Sequence, residues 1–236
     1  FHLASNDLCS DIPTELSALS TSQDPSTNPS ADPTYWSVAE GNFVGPTPCP
    51  AVSALVALYE GTGGSSDGWT VDTSWMGNDV TGDSKDPCDN SWYGVTCSSS
   101  GEVTVLDLPS NDLAGMLPSE IGFLTMLENS LTAQQVSFDW NTLSGTLPSE
   151  IGELTGVQRL TFAASKLSGS VPTEIGRLSA LVNGENGFLR INKLTGTLPT
   201  ELGGLTSLTK VLGLNNNAFS GSVPTEFGQV TGLWYY

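Results

Sequence analysis

The stretch NTLSGTLPSEIGEL (residues 141–154) decides the fold, because close copies of it recur along the chain. The copies are NDLAGMLPSEIGFL (111–124), SKLSGSVPTEIGRL (165–178), NKLTGTLPTELGGL (192–205) and NAFSGSVPTEFGQV (217–230). Apolar residues stand at the same positions in every copy, and a single copy cannot bury them alone. Self-similarity of this kind predicts a solenoid in which stacked coils share one continuous core.

The residues before each copy complete the repeat. In VTVLDLPSNDLAGMLPSEIGFL (103–124), Leu106 and Leu108 belong to a predicted short strand, and Asn111 follows the second leucine by three residues. An amide at this place can bond the backbone of its own turn and of the neighbouring coil, so we interpret the residue as scaffold. The equivalent residues are Asn141, Ser165, Asn192 and Asn217, of which the serine is the smaller and weaker substitute.

The phrase G-x-[LV]-P-[ST]-E-[ILF]-G resembles the plant-type subclass of leucine-rich repeats, found in plant receptor ectodomains, cell-wall enzyme inhibitors and surface proteins of algae and protists. The stretch DPCDNSWYGVTC (86–97) is similar to the signature of that subclass's N-terminal cap. The resemblance implies an α/β solenoid, an arc of about six coils with a parallel β-sheet on its concave face, a helical N-terminal cap and an extended linker. It also implies a disulfide between Cys88 and Cys97, in a short loop that contains Trp92.

Two further cysteines, Cys9 and Cys49, lie outside this signature. In the family that the chain resembles, a cysteine just before the cap helix pairs with a cysteine beside the Asp-Pro-Cys motif, which is missing here. We therefore predict that Cys49 pairs with Cys9. Four cysteines in an acidic chain rich in Ser and Thr favour disulfides over metal, and one histidine is too few for the usual Cys/His zinc sets.

Composition indicates an extracellular or cell-surface location. The formal net charge of −18 repels nucleic acids and anionic lipids, and no apolar run approaches the roughly 20 residues needed to span a bilayer. The Asn-x-Ser/Thr acceptor pattern occurs only in a form blocked by proline, at Asn28, so any glycan is expected to be O-linked. The candidate sites in the Ser/Thr/Pro-rich linker are Ser20, Thr21, Ser22, Ser26, Thr27, Ser30 and Thr34.

The two ends of the chain read together as one more repeat. TGLWYY (231–236) followed by FHLASNDLCSDIPTELSAL (1–19) aligns with TSLTKVLGLNNNAFSGSVPTEFGQV (206–230). We predict that the joined strand pairs with a strand at Leu212–Leu214. The junction residues are Trp234, Tyr235, Tyr236, Phe1, His2 and Leu3.

This alignment sets the predicted domain organisation. Residues 1–19 complete the coil begun at 231–236 of a preceding unit, 20–50 form a linker and docking segment, 51–100 form the cap, and 101–236 form the repeats. Three arrangements remain open: units repeated along a longer polypeptide, a rotated order of one unit, or completion of the strand by a separate subunit. The first is our main prediction.

The sequence predicts a protein without enzymatic activity or cofactor. His2 has no evident acid partner or nucleophile, and the glutamate that recurs in every coil is explained by a structural or solvated role. Acidic residues in the cap loop lack the alternating spacing of a calcium loop. Extra residues before some strands fit either a binding rim or tolerated surface loops.

Two functions follow. The main prediction is a structural subunit of an extracellular filament or sheath, whose partners are further copies of itself joined head to tail. The alternative is an extracellular recognition module that binds a protein or glycan on its concave face, where we see neither an aromatic track for sugars nor a basic stripe. The candidate binding residues are Asp107, Asp139, Trp140, Arg190, Asn215 and His2.

Overall fold

A computed structural model describes the chain over residues 37–39, 42–44, 50–64, 68–73, 75, 87–88, 92–98, 102–128, 135–182, 187–209 and 211–233. The predicted unit junction, the linker hydroxyls, Cys9, Cys49 and the cap-loop aspartates all lie outside these residues. Before the cap, strands β1 (Ser37–Ala39) and β2 (Asn42–Val44) pair antiparallel. No helix within the described residues is long and apolar enough to cross a membrane.

The cap begins with helix α1 (Pro50–Gly61), which packs against the first coil. Apolar residues spaced by one helical turn form its buried face, as the sequence predicts. Those residues are Ala54, Leu55, Leu58 and Tyr59.

Aromatic rings fill the space behind α1. Trp75 is fully buried and stacks on Tyr59, with ring centroids 5.7 Å apart. Trp69 and Trp92 contact Trp75 at 4.8 and 4.9 Å. A disulfide joins Cys88 to Cys97, which is the pairing that the resemblance implies. The bond fixes Cys88 to the end of strand β3 (Val95–Cys97).

A sheet lines one face of the solenoid. Strand β3 pairs antiparallel with β4 (Val103–Asp107), and β4, β6 (Gln135–Ser137) and β8 (Arg159–Thr161) follow in parallel. Because side chains alternate across a strand, Leu106, Val136 and Leu160 point together into the core. We number the coils from these strands: coil 1 is 103–128, coil 2 is 135–158, coil 3 is 159–182, coil 4 is 187–209 and coil 5 is 211–233.

A second set of short strands runs along the flank of the solenoid. Strands β5 (Ala114–Met116) and β7 (Thr142–Ser144) pair in parallel, as do β9 (Ser168–Gly169) and β10 (Lys193–Leu194). Backbone hydrogen bonds such as Ser220 N–H to the Gly196 carbonyl, at 2.9 Å, extend this ladder into coil 5.

Each PSEIG-like phrase forms a 3₁₀ helix after its proline. In the described part of the chain these helices are Ser119–Glu128 (with a break at Leu124), Ser149–Glu153, Thr173–Arg177, Thr200–Gly204 and Thr225–Gln229. The glycine of the phrase is required by packing between coils. A Cβ at Gly152 would lie 2.4 Å from the carbonyl oxygen of Glu174 in the next coil.

The predicted strand at Leu212–Leu214 is wrong. Gly187 and Gly213 adopt left-handed backbone conformations, with φ of 76° and 63°, and pack directly on each other. This glycine pair bends the chain where coils 4 and 5 would otherwise continue the sheet. The coils stay linked by backbone bonds, including Phe188 N–H to the Leu212 carbonyl at 2.9 Å.

Candidate ligand-binding surface on the concave face

Side chains on the concave face form columns, because equivalent residues of successive coils are hydrogen-bonded neighbours. Trp140 N–H donates to the Ala163 carbonyl at 2.8 Å, and Ala164 N–H donates to the Arg190 carbonyl at 3.0 Å. One column therefore contains Asp139, Ala163, Arg190 and Asn215, and the column beside it contains Trp140, Ala164, Ile191 and Asn216.

Two exposed apolar side chains lie in the second column. Trp140 and Ile191 are 57% and 38% exposed, and the small Ala164 separates them. Successive residues of a column lie about 4.8 Å apart, so the Cα atoms of Trp140 and Ile191 are about 10 Å apart with Ala164 between them. We call these three residues the apolar cleft.

The backbone of the apolar cleft is strained. Trp140, Ala164 and Ile191 have φ of 58°, 55° and 58°, in the left-handed region that costs a non-glycine residue roughly 1–2 kcal/mol. A β-branched residue such as isoleucine is a rare occupant of this region, whereas Asn216 suits it well. The same conformation recurs at Ser110 and Asn216, so it belongs to the repeat, whereas the exposed apolar side chains are particular to coils 2 and 4.

Asp139 lies beside the cleft and is only 4% exposed. Its Oδ1 accepts the backbone N–H of Ala163 at 2.7 Å. Burial raises the pKa of Asp139 above its ordinary value, and this desolvation outweighs the hydrogen bonds from Ala163 and Thr161 and the charge of Arg190, which lower it. The ionised carboxylate of Asp139 is therefore poorly solvated.

Arg190 stands on the other side of Ala163 from Asp139. Its Nε is buried without a hydrogen-bond partner among the described residues, although its charge acts on Asp139. Ala163, between them, is fully buried. The guanidinium is thus held next to the apolar cleft with donors that the described part of the chain does not use.

The recurring glutamates lie in the first turn of each 3₁₀ helix. In each coil the Ser or Thr before the glutamate donates its hydroxyl to that carboxylate, as Thr173 does to Glu174 at 3.3 Å. Arg177 pairs with Glu153 at 2.6 Å on the exposed surface. Among the described residues, no group of three His, Cys, Asp or Glu side chains is placed to hold a metal ion.

The sequence is similar to parts of two plant receptor-like kinases. A probable leucine-rich repeat receptor-like protein kinase of Arabidopsis thaliana is 36% identical over 59 residues, and the receptor-like protein kinase BRI1-like 3 of the same plant is 39% identical over 77 residues. These matches cover 25% and 33% of the chain, which spans only 6% of the length of either relative. No family model matches the chain.

Solved structures match over more of the chain. A plant ice-binding protein superimposes with a TM-score of 0.59 and 25% identity, covering 78% of this chain and 55% of that protein. The leucine-rich repeat ectodomain of the receptor kinase SOBIR1 from Arabidopsis thaliana gives 0.57 and 25%, covering 78% and 88%. A chain of the BIR3–SERK2 complex of the same plant gives 0.52 and 26%, covering 75% and 88%.

The chain has the leucine-rich repeat fold, and it is similar to extracellular ectodomains of plant receptor kinases. The predicted family, fold class and location are thereby confirmed. Of the predicted binding residues, the leucine-rich repeat scaffold brings Asp139, Trp140, Arg190 and Asn215 together in neighbouring columns. Asp107 lies at the end of β4 in coil 1, and His2 falls outside the described residues.

Several residues near the cleft are missed by the sequence analysis. Ala164 completes the cleft, and the exposed Lys166 and Lys193 lie two residues beyond Ala164 and Ile191. The two lysines share one repeat position, directly after the residue equivalent to Asn141, which is Ser165 in coil 3 and Asn192 in coil 4. This shared position is the signal that would have found them. The predicted binding residues all stand at strand positions, and the two lysines lie beyond them.

Proposed function

We propose that this protein is an extracellular recognition module that binds a protein ligand on its concave face. The exposed, strained apolar cleft of Trp140, Ala164 and Ile191 carries this proposal. Aromatic anchors in such clefts dominate the energetics of protein interfaces. The similarity to receptor ectodomains, and to a chain solved as part of the BIR3–SERK2 complex, supports a recognition role over the filament predicted from the chain ends.

The filament stays a prediction, because its junction residues lie outside the described part of the chain. That the partners of this protein are further copies of itself also stays a prediction. The proposed module has no catalytic step, so its function rests on binding alone. A glycan ligand is less well supported than a protein, since the exposed aromatic residue of the cleft stands alone in its column.

Selection of ligands from a displayed library of small protein domains tests this proposal. Binders selected on the whole chain are expected to lose about tenfold or more in affinity for Trp140→Lys, because this change removes the apolar anchor. The matched control is Phe123→Lys, which alters another half-exposed aromatic residue outside the concave sheet. Binders that respond to Phe123→Lys and ignore Trp140→Lys would contradict the proposal.

We also propose a second candidate, ice binding by the flank of the solenoid. Two columns of hydroxyl residues run along this flank, with a glycine between them in each coil. The inner column is Ser144, Ser168, Thr195 and Ser220, and the outer, exposed column is Thr146, Ser170, Thr197 and Ser222.

The geometry of the columns favours this candidate. Hydroxyls repeat about every 4.8 Å along the solenoid and about 7 Å across it, as the strand geometry dictates. The Cγ2 of Thr146 packs over Gly169, which keeps the surface flat because a Cβ there would lie 2.7 Å from that methyl. Rigid, evenly spaced hydroxyls can order a layer of water, and a plant ice-binding protein is among the similar structures.

Inhibition of ice recrystallisation tests the second candidate. The double variant Thr146→Lys, Thr197→Lys is expected to lose the inhibition, because long charged side chains break the regular layer. Thr206→Lys, at an exposed position away from both columns, is the control and should keep it. An inactive wild-type protein, or equal activity in the double variant, would exclude this function.

A further inference from the structure

The basic residues of this acidic protein are unevenly distributed. The sequence has 7 Lys and Arg against 25 Asp and Glu. The described basic residues are Arg159, Lys166, Arg177, Arg190 and Lys193. Arg177 is paired with Glu153, and the other four belong to coils 3 and 4.

Lys166 and Lys193 occupy the same repeat position in coils 3 and 4, and Lys193 pairs with Ser168, two residues beyond Lys166. The backbone N–H of Lys193 donates at 2.7 Å to the carbonyl of Leu167, the residue directly after Lys166. Both side chains are exposed, and neither forms an ion pair with a described residue.

The two lysines border the apolar cleft. Lys166 follows Ala164 by two residues, and Lys193 follows Ile191 by two. In coils 3 and 4 an exposed lysine therefore lies two residues after the member of the cleft. Arg190 precedes Ile191 and leaves its Nε without a described partner. The acidic group facing this region is Asp139, whose charge is opposed by burial; Asp107 lies in coil 1.

We infer that the ligand of the proposed recognition surface is an acidic peptide segment that carries one large apolar side chain. The apolar side chain lies in the cleft between Trp140 and Ile191. Carboxylates on either side of it meet Lys166, Lys193 and Arg190. Charge complementarity supports this occupant, because the exposed Lys166 and Lys193 attract carboxylates locally although the net charge of the protein is −18.

This inference rests on the proposed function, and selection of short random peptides displayed on phage separates the two. Peptides selected on the whole chain are expected to be enriched in Asp and Glu around a central aromatic or aliphatic residue. A synthetic copy of the most enriched peptide should bind more weakly as salt concentration rises. Its affinity should fall about tenfold in the Lys166→Gln, Lys193→Gln double variant.

Arg177→Gln is the control variant, because it removes a positive charge away from the concave face. It should change the affinity less than about twofold. Neutral or basic selected peptides that still require Trp140 would overturn the inference and leave the proposed function standing. If no selected peptide depends on Trp140, both fail. Loss of folding does not confuse the result, since both lysines are exposed.

Discussion

The side-chain oxygen of Asn141 in coil 2 accepts the backbone N–H of Asn111 in coil 1 at 3.0 Å. The same oxygen accepts the N–H of Leu113 at 3.0 Å, and the amide nitrogen donates to the carbonyl of Leu108 at 2.8 Å. One buried amide thus satisfies backbone groups of two coils, which explains why asparagine recurs at this place. Coil 3 has Ser165 instead, and its Oγ is buried without a hydrogen-bond partner among the described residues.

We predict that Ser165→Asn raises the free energy of unfolding by about 1–2 kcal/mol, because the amide can make the bonds that the serine hydroxyl cannot reach. Urea denaturation measures this change. The reciprocal variant Asn141→Ser should lower the free energy of unfolding by at least as much. A Ser165→Asn protein no more stable than the wild type would show that coil 3 has no room for the amide.

The second prediction concerns Asp139 and pH. Because its folded pKa is raised above 3.8, the folded protein holds more protons than the unfolded chain between the two pKa values. The contribution of Asp139 to stability is therefore most favourable below its unfolded pKa and is lost as pH rises through its folded pKa.

The Asp139→Asn variant does not titrate at this position and serves as the reference. The wild type should lose free energy of unfolding relative to the variant as pH rises from about 3 to 7. Denaturant titrations of both proteins at several pH values measure the difference. A wild type that gains stability relative to Asp139→Asn over this range would have the opposite sign and would contradict the raised pKa.

Strain in the apolar cleft leads to the third prediction. Ala164 has φ of 55°, so Ala164→Gly should raise the free energy of unfolding by about 1 kcal/mol. The neighbouring Ala163 is buried and is absent from the residues with positive φ, so Ala163→Gly should lower it by about 1 kcal/mol. Thermal unfolding compares the pair. If both replacements destabilise equally, the left-handed conformation at Ala164 costs nothing.

The fourth prediction concerns contact between coils. A Cβ at Gly176 would lie 2.4 Å from the carbonyl oxygen of Glu201, so Gly176→Ala should lower the free energy of unfolding by about 2–3 kcal/mol. At the equivalent Gly228 no described atom lies within 4 Å of the added carbon, and Gly228→Ala should stay within about 0.5 kcal/mol of the wild type. Equal losses at both positions in chemical denaturation would refute this explanation.

The sequence by itself determined the repeat, the cap and the scaffold role of Asn141, because stacking coils must bury the same apolar positions and satisfy the same backbone groups. It also placed Asp139, Trp140 and Arg190 on one face, since the repeat turns Phe138 and Asn141 inward and leaves the two residues between them on the concave side. It wrongly extended the strand to Leu212–Leu214, because the sequence pattern does not reveal that Gly213 packs on Gly187.

Only the tertiary structure decided which side chains meet between coils. The coils differ in length, so the neighbour of a residue on the next rung is not at a constant distance in sequence, and Ala164 takes its place between Trp140 and Ile191 only after stacking. The left-handed backbone before each ladder residue turns Trp140 and Ile191 outward, although apolar residues would otherwise be expected inside. Burial of Asp139 likewise depends on neighbours that stacking supplies.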